Sequence, residues 1–181
     1  MVMPIGPLMT EHRLIERMIA LMEMELERIR KVKRANFEFI EIAVDFIRTY
    51  ADRLHHGKEE DILFRDLSVK KLEEQHRKTM EELIEEHLWG RKKVKELVNA
   101  NEKYKKGDEN AIDEITRCLQ DLIHFYPQHI EKEDKHFFIP VMNYFNQSEQ
   151  ESMLEEEQEF NQNFIHEIYK EKVNEIKKSF D

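Results

Sequence analysis

Residues 37–67 read FEFIEIAVDFIRTYADRLHHGKEEDILFRDL. Ile40, Val44, Ile47 and Ala51 recur every three or four residues, which stacks them on one face of an α-helix. The stretch contains a single glycine, Gly57, and no proline, so it is predicted to be one helix over 37–67. The apolar stripe then runs into His55, and Glu59 leads on from it to Ile62. A carboxylate on a core-facing stripe is costly to bury unless it is paired or holds a metal. The fold and its chemistry are therefore read from the same helix.

The flanking sequence continues in the same manner. Of 181 residues only 4 are Gly and 4 are Pro, too few for the frequent turns of a sandwich or barrel. Pro4, Gly6 and Pro7 fall at the start. Thr10 is expected to cap a first helix from Glu11, with the stripe Ile15, Ile19, Met22, Leu26, Ile29. Asn36 suits a turn and the next cap. Ser68 is expected to cap a third helix over 69–105, which Gly107 stops. A fourth is expected over 108–145, bent at Pro127, and a fifth over 148–178. Long helices with short connections predict an all-α fold. Its form is an up-and-down antiparallel four-helix bundle with an additional C-terminal helix. Residues 1–147 form the bundle, and 148–181 pack on it within the same domain.

Charged residues make up 38% of the chain against 40% hydrophobic, and the net charge is −10. That balance argues against nucleic-acid or anionic-membrane partners, which need a cationic face. No apolar run approaches the roughly 18 residues of a membrane span. The start lacks the basic and apolar regions of a secretory signal, so the expected location is the cytoplasm. The one cysteine, Cys118, excludes an internal disulfide and thiolate metal clusters and reads as a small core residue.

Nine histidines are the unusual count. Residues 55–64, HHGKEEDILF, align without gaps to residues 129–138, HIEKEDKHFF. His55 meets His129, Lys58 meets Lys132, Glu59 meets Glu133, Glu60 meets Asp134 and Phe64 meets Phe138. Each copy holds His-x-x-x-Glu, which converges imidazole and carboxylate on one helix face. Two such helices could hold two metals with the carboxylates bridging. His55 and Glu59 continue an apolar stripe, whereas His56 and Glu60 continue from Thr49, Asp52 and Arg53 on a polar face; the first pair is preferred. Measured from the turns at a rise of about 1.5 Å per residue, His12 is level with His55 and Glu59, and His87 with His129. From Ser68, however, the residue level with Glu59 is His76. His76 and His87 are about 16 Å apart along the helix and cannot share one cluster.

These residues resemble the hemerythrin-like, HHE cation-binding domains. The resemblance rests on Thr10-Glu11-His12, on Leu54 to Phe64, on Glu85-Glu86-His87-Leu88-Trp89-Gly90-Arg91 and on His129 to Asp134, covering roughly 8–145. It implies a four-helix bundle around a non-haem di-iron centre, two Fe ions with an oxo or hydroxo bridge. His12, His55, His87 and His129 would be terminal ligands, and Glu59 and Glu133 bridges. It favours His87 over His76, with Gly90 giving room beside the site. The oxygen carriers have a second histidine four residues away on the third helix, where this chain has Leu83 and Arg91. They also space histidine and aspartate as His129 and Asp134 are spaced, so Asp134 competes with Glu133, and the internal echo favours Glu133. Four histidines imply a more open site than in the oxygen carriers.

The implied function is binding of O₂, NO or a related oxidant for sensing, storage or stress defence. Peroxide turnover, iron donation for iron-sulfur repair and a metal-free regulatory module are the alternatives. Mn or Zn suits the same donors. His136 reads as a buried or interfacial histidine, His124 and His166 as structural or exposed, and Tyr126 as core or near the metal. Phe160, Phe164, Ile168, Val173 and Ile176 read as a packing or homodimer face.

Overall fold

The computed structural model describes residues 3–178, and within the fifth helix it describes side chains up to Ile165 and at Ile168. The described residues are helical and contain no strand.

The first helix is Ile5–Val32, so it begins before the expected start at Glu11. Thr10 lies inside it, its hydroxyl donating to the Gly6 carbonyl at 2.9 Å. Pro7 sits in the first turn, where a backbone N–H has no helical acceptor, so the missing donor costs nothing there. The extension buries Ile5 and Leu8. Lys33 ends the helix in the left-handed region at φ 54°, and Asn36 Oδ1 caps the next one by accepting from the Phe39 N–H at 3.1 Å.

The second helix is continuous over 37–68, but its winding changes. It is α-helical over Phe37–Phe46 and Arg65–Ser68, and π-helical over Ile47–His56 and Glu59–Phe64. The third helix is Glu74–Lys105, starting later than the expected residue 69. Ser68 does not cap it; its hydroxyl donates to the Arg65 carbonyl at 2.6 Å. The later start removes the conflict over His87. Glu59 lies nine residues before Ser68, and His87 thirteen after Glu74. The difference is about 6 Å of helix, within reach of the connection over 69–73.

Gly107 stops the third helix at φ 95°, with the Asp108 N–H on the Lys103 carbonyl at 3.1 Å. Only glycine adopts that backbone without strain. The fourth helix begins at Ala111 instead of Asp108. It runs through Pro127 to Glu131, becomes π-helical over Lys132–Phe137 and ends in Phe138–Val141 and a 3₁₀ turn, Met142–Tyr144. The fifth is Gln147–Lys178. The expectations for His166 and for Val173 and Ile176 lie outside the described residues. None of these helices is long and apolar enough to cross a membrane.

The second helix packs on the first and third, and the fourth on the third and first, which closes a ring of four. Two apolar cores fill it. One contains Ile15, Ala51, Val94, Tyr126 and Ile130; the other contains Leu8, Ile62, Leu83 and Phe137. Each helix passes from one core to the other, in alternating order along the chain, and on each the proposed ligands fall between the two. The fifth helix lies outside the ring against the second. Met153 and Phe164 are buried there, and Arg65 makes a two-pronged ion pair with Glu156 at 2.6 and 2.8 Å. A Cβ on Gly57 would come within 2.9 Å of the Phe160 ring. Gly57 thus allows the fifth helix its close approach; it does not make room for the site.

Candidate metal centre

Between the two apolar cores lies a layer of buried imidazoles and carboxylates. His12, His55, Glu59, His87, His129 and Glu133 are all brought into it, each 2% exposed or less. His76 is elsewhere, with its Nδ1 2.8 Å from the Tyr144 hydroxyl. His136 and His124 are exposed, which corrects the buried or interfacial reading of His136. Cys118 is a buried core residue as expected.

A fifth histidine joins the layer. His56 is 4% exposed, not on a polar face, and its ring stacks on His87 at 3.8 Å between centroids. The error comes from assuming α-helical winding, in which neighbours diverge by roughly 100°. The π turn is wider, so adjacent residues diverge less and both His55 and His56 face inward. The expected set of four histidines is therefore five.

Two groups result. One is His12, His55, Glu59 and Glu133; the other is His56, His87 and His129. Within each, one ligand atom per residue lies within 4.8 Å of the others. The two glutamates span both. Glu59 Oε1 is 3.2 Å from His55 Nε2, and its Oε2 is 3.4 Å from His87 Nε2. Glu133 Oε2 is 3.2 Å from His12 Nε2, and its Oε1 is 3.2 Å from His129 Nε2. Each carboxylate thus offers one oxygen to each histidine group.

The outward-facing nitrogens are equally organised. Nδ1 of His12 meets Asp134 at 2.7 Å, of His55 Glu11 at 2.9 Å, of His56 Asp52 at 3.4 Å, of His87 Glu60 at 2.7 Å and of His129 Glu86 at 2.7 Å. A carboxylate only accepts, so each Nδ1 carries a hydrogen and each Nε2 points inward, where it can bind a metal once any proton on it leaves. That is how proteins orient metal-binding imidazoles. Cations fix the carboxylates in turn: Arg13 binds Asp134, Lys58 binds Glu11, Lys132 binds Glu86, and Arg91 binds both Asp52 and Glu60. Asp134 and Glu60, weighed from the sequence as ligands, instead hold the histidine of a neighbouring helix.

This arrangement repeats the internal echo. In the first half Lys58 holds Glu11 on His55; in the second Lys132 holds Glu86 on His129. Phe64 stacks on His87, centroids 6.0 Å apart, and Phe138 stacks on His12 at 5.7 Å. The pairs Glu11-His12 and Glu86-His87 and the aligned lysines were visible signals of these supports, though the sequence alone did not say which groups they touched.

The interior is electrostatically incomplete without a cation. Both oxygens of Glu59 and Glu133 and the Nε2 atoms of His87 and His129 are buried with no hydrogen-bond partner. His12 Nε2 and His55 Nε2 lie 2.8 Å apart. With both Nδ1 atoms protonated, two lone pairs would face each other there unless a proton or metal ion intervenes. Burial pulls the His12 imidazole down, but the hydrogen bond to Asp134 and the nearby carboxylates of Glu133 and Glu59 push it up to about 10. His87 is pushed up to about 10 against burial by Glu133 and Glu60, with the charge of Glu59. Burial, and then the charges of His87, His129 and His55, hold His56 well below the usual range, so it stays neutral. Burial would raise Glu133, but His129, His12 and His87 keep it well below the carboxylate range. Metal ions would replace the protons on these residues, and the donor set of imidazole and carboxylate suits Fe, Mn or Zn.

Comparison with curated proteins and with solved structures finds no match. The Hemerythrin HHE cation binding domain, in contrast, matches residues 3–139, which takes in all seven inward-facing residues and stops before the fifth helix. With that match covering most of the chain, the chain belongs to the hemerythrin HHE cation-binding family.

Proposed function

We propose that the chain holds two iron ions in the polar layer and uses them to bind O₂, NO or a related oxidant, in sensing, storage or stress defence. His12 and His55 would hold one ion and His56, His87 and His129 the other, with Glu59 and Glu133 bridging. Iron there would supply a redox-active centre with a coordination position for a small ligand. The surrounding carboxylates orient the imidazoles, and the apolar cores on either side exclude bulk water.

The observation that carries this reading is the two-sided placement of Glu59 and Glu133, whose four oxygens are buried, unpartnered and divided between the two histidine groups. A single-metal site would not need both faces of both carboxylates. The test is to reconstitute the protein with ferrous iron under anaerobic conditions and titrate with O₂ and then NO, following the visible absorption. A saturable spectral change with each gas, absent from metal-free protein, is expected. Iron that binds but leaves the spectrum unchanged with both gases would reject this role.

A further inference from the structure

Two openings reach the histidine layer from outside, and their charges are opposite. A wide groove of about 770 Å³ touches His129 and is walled by Glu82, Glu85, Glu86 and Asp121, with Lys132 as its only cation. A narrower cleft of about 310 Å³ touches His56 and is lined by Arg48, Arg91 and Lys95 against the single acid Asp52. On a chain of net charge −10 a cation-lined cleft ending at a ligand histidine is unexpected.

The cleft also contains a buried polar group. Tyr126 lines it and is only 2% exposed. Its hydroxyl meets no hydrogen-bond partner among the described residues, and it is not among the atoms sealed from solvent. Burial, with the charges of Asp52 and Glu133, pushes its pKa upward, so it remains a hydrogen-bond donor. Arg48 and Lys95 are exposed and have no ion-pair partner among the described residues, whereas Arg91 is held by Asp52 and Glu60. Gly90 also lines the cleft.

We infer that this cleft is a binding and access site for a small oxyanion of the nitrite type, drawn in by Arg48 and Lys95 and held by the Tyr126 hydroxyl beside His56. Charge complementarity selects this opening over the acidic groove, which would repel the same ligand. The inference deepens the proposed function, since it rests on the layer being the destination. It assigns to this chain a preference for anions over neutral gases in one access route.

The test has two arms. In the iron-loaded protein, nitrite and NO association are followed by stopped-flow absorption in wild type, Arg48→Gln/Lys95→Gln and Tyr126→Phe. At low salt the double variant should slow nitrite association about tenfold while leaving NO association and iron content unchanged. Tyr126→Phe should speed nitrite release roughly fivefold. Equal nitrite rates in wild type and double variant, or equal slowing of nitrite and NO, would overturn the inference. In the metal-free protein, bromide titration followed by amide NMR should shift Gly90 and Arg91 in wild type and not in the double variant. Unshifted wild-type resonances would also overturn it. That second arm needs no metal, so failure of the chain to bind iron would sink the proposed function while the cleft is still judged on its own.

Discussion

The two halves of the bundle perform the same task with different surroundings. In both, a lysine three residues after a histidine of the layer fixes the glutamate on that histidine's Nδ1. In both, an aromatic residue from the echo stacks on a histidine of the other half. They differ in their cover and at six of the ten aligned positions, one of which changes a residue of the layer. Where the first half has His56, the second has Ile130, a buried core residue. Lys58 is fully buried beneath the fifth helix, whereas the Lys132 side chain is 29% exposed beside the acidic groove. Repetition of the supports therefore places Glu59 and Glu133 alike between the two histidine groups, and histidine in place of isoleucine at position 56 would make the two proposed metal positions unequal. The cover decides how far each supporting lysine meets solvent.

The largest effect should come from breaking what the halves share. Glu59→Ala and Glu133→Ala should each remove half or more of the bound iron, measured by elemental analysis, because each carboxylate serves both positions. Full iron content in either variant would reject the bridge assignment. Making the halves alike should cost less: His56→Ile should lower iron toward one ion per chain, and a variant that still holds the wild-type amount would show that His56 is not a ligand.

The difference in cover predicts unequal stability losses. Lys58→Met strips the cation from Glu11 in a dry setting and should cost about 3 kcal/mol. Lys132→Met, with a part-exposed partner, should cost about 1 kcal/mol or less. Urea unfolding of the two metal-free variants makes the comparison, and equal losses would mean that the fifth helix does not seal its half.

The smallest expected effect is a pH dependence of the metal-free protein. His12 and His87 are raised from 6.5 to about 10 in the folded state, so their contribution is complete below about 6.5 and is lost as pH rises through 10. The melting temperature of metal-free protein should fall by a few degrees between pH 7 and 10. The iron-loaded protein should not follow, because metal takes the place of those protons. A flat profile for the metal-free form would contradict the proton-for-metal exchange.

Much of this was legible in the sequence. The stripes Ile15 to Ile29 and Ile40 to Ala51 marked core faces correctly because regular α-helices carry them at a fixed angle. The His-x-x-x-Glu echo located the layer for the same reason, since residues at i and i+4 stay close in either winding. His56 was misplaced because a π turn changes the angle between neighbours, and no local residue preference announces it. Ile5 and Leu8 were missed because Gly6 and Pro7 look like a break, although a first turn tolerates both. The carboxylates on the five Nδ1 atoms come from neighbouring turns and other helices, so only the packed structure could pair them. The sequence shows Gly57 inside a helix but not its cause, which is the Phe160 ring of the fifth helix.

Metal content tests the central claim most directly. Protein purified without chelator and reconstituted with ferrous iron should contain about two ions per chain, and removing them should lower its melting temperature. Protein that takes up no metal, with a melting temperature unchanged by EDTA, would contradict the account.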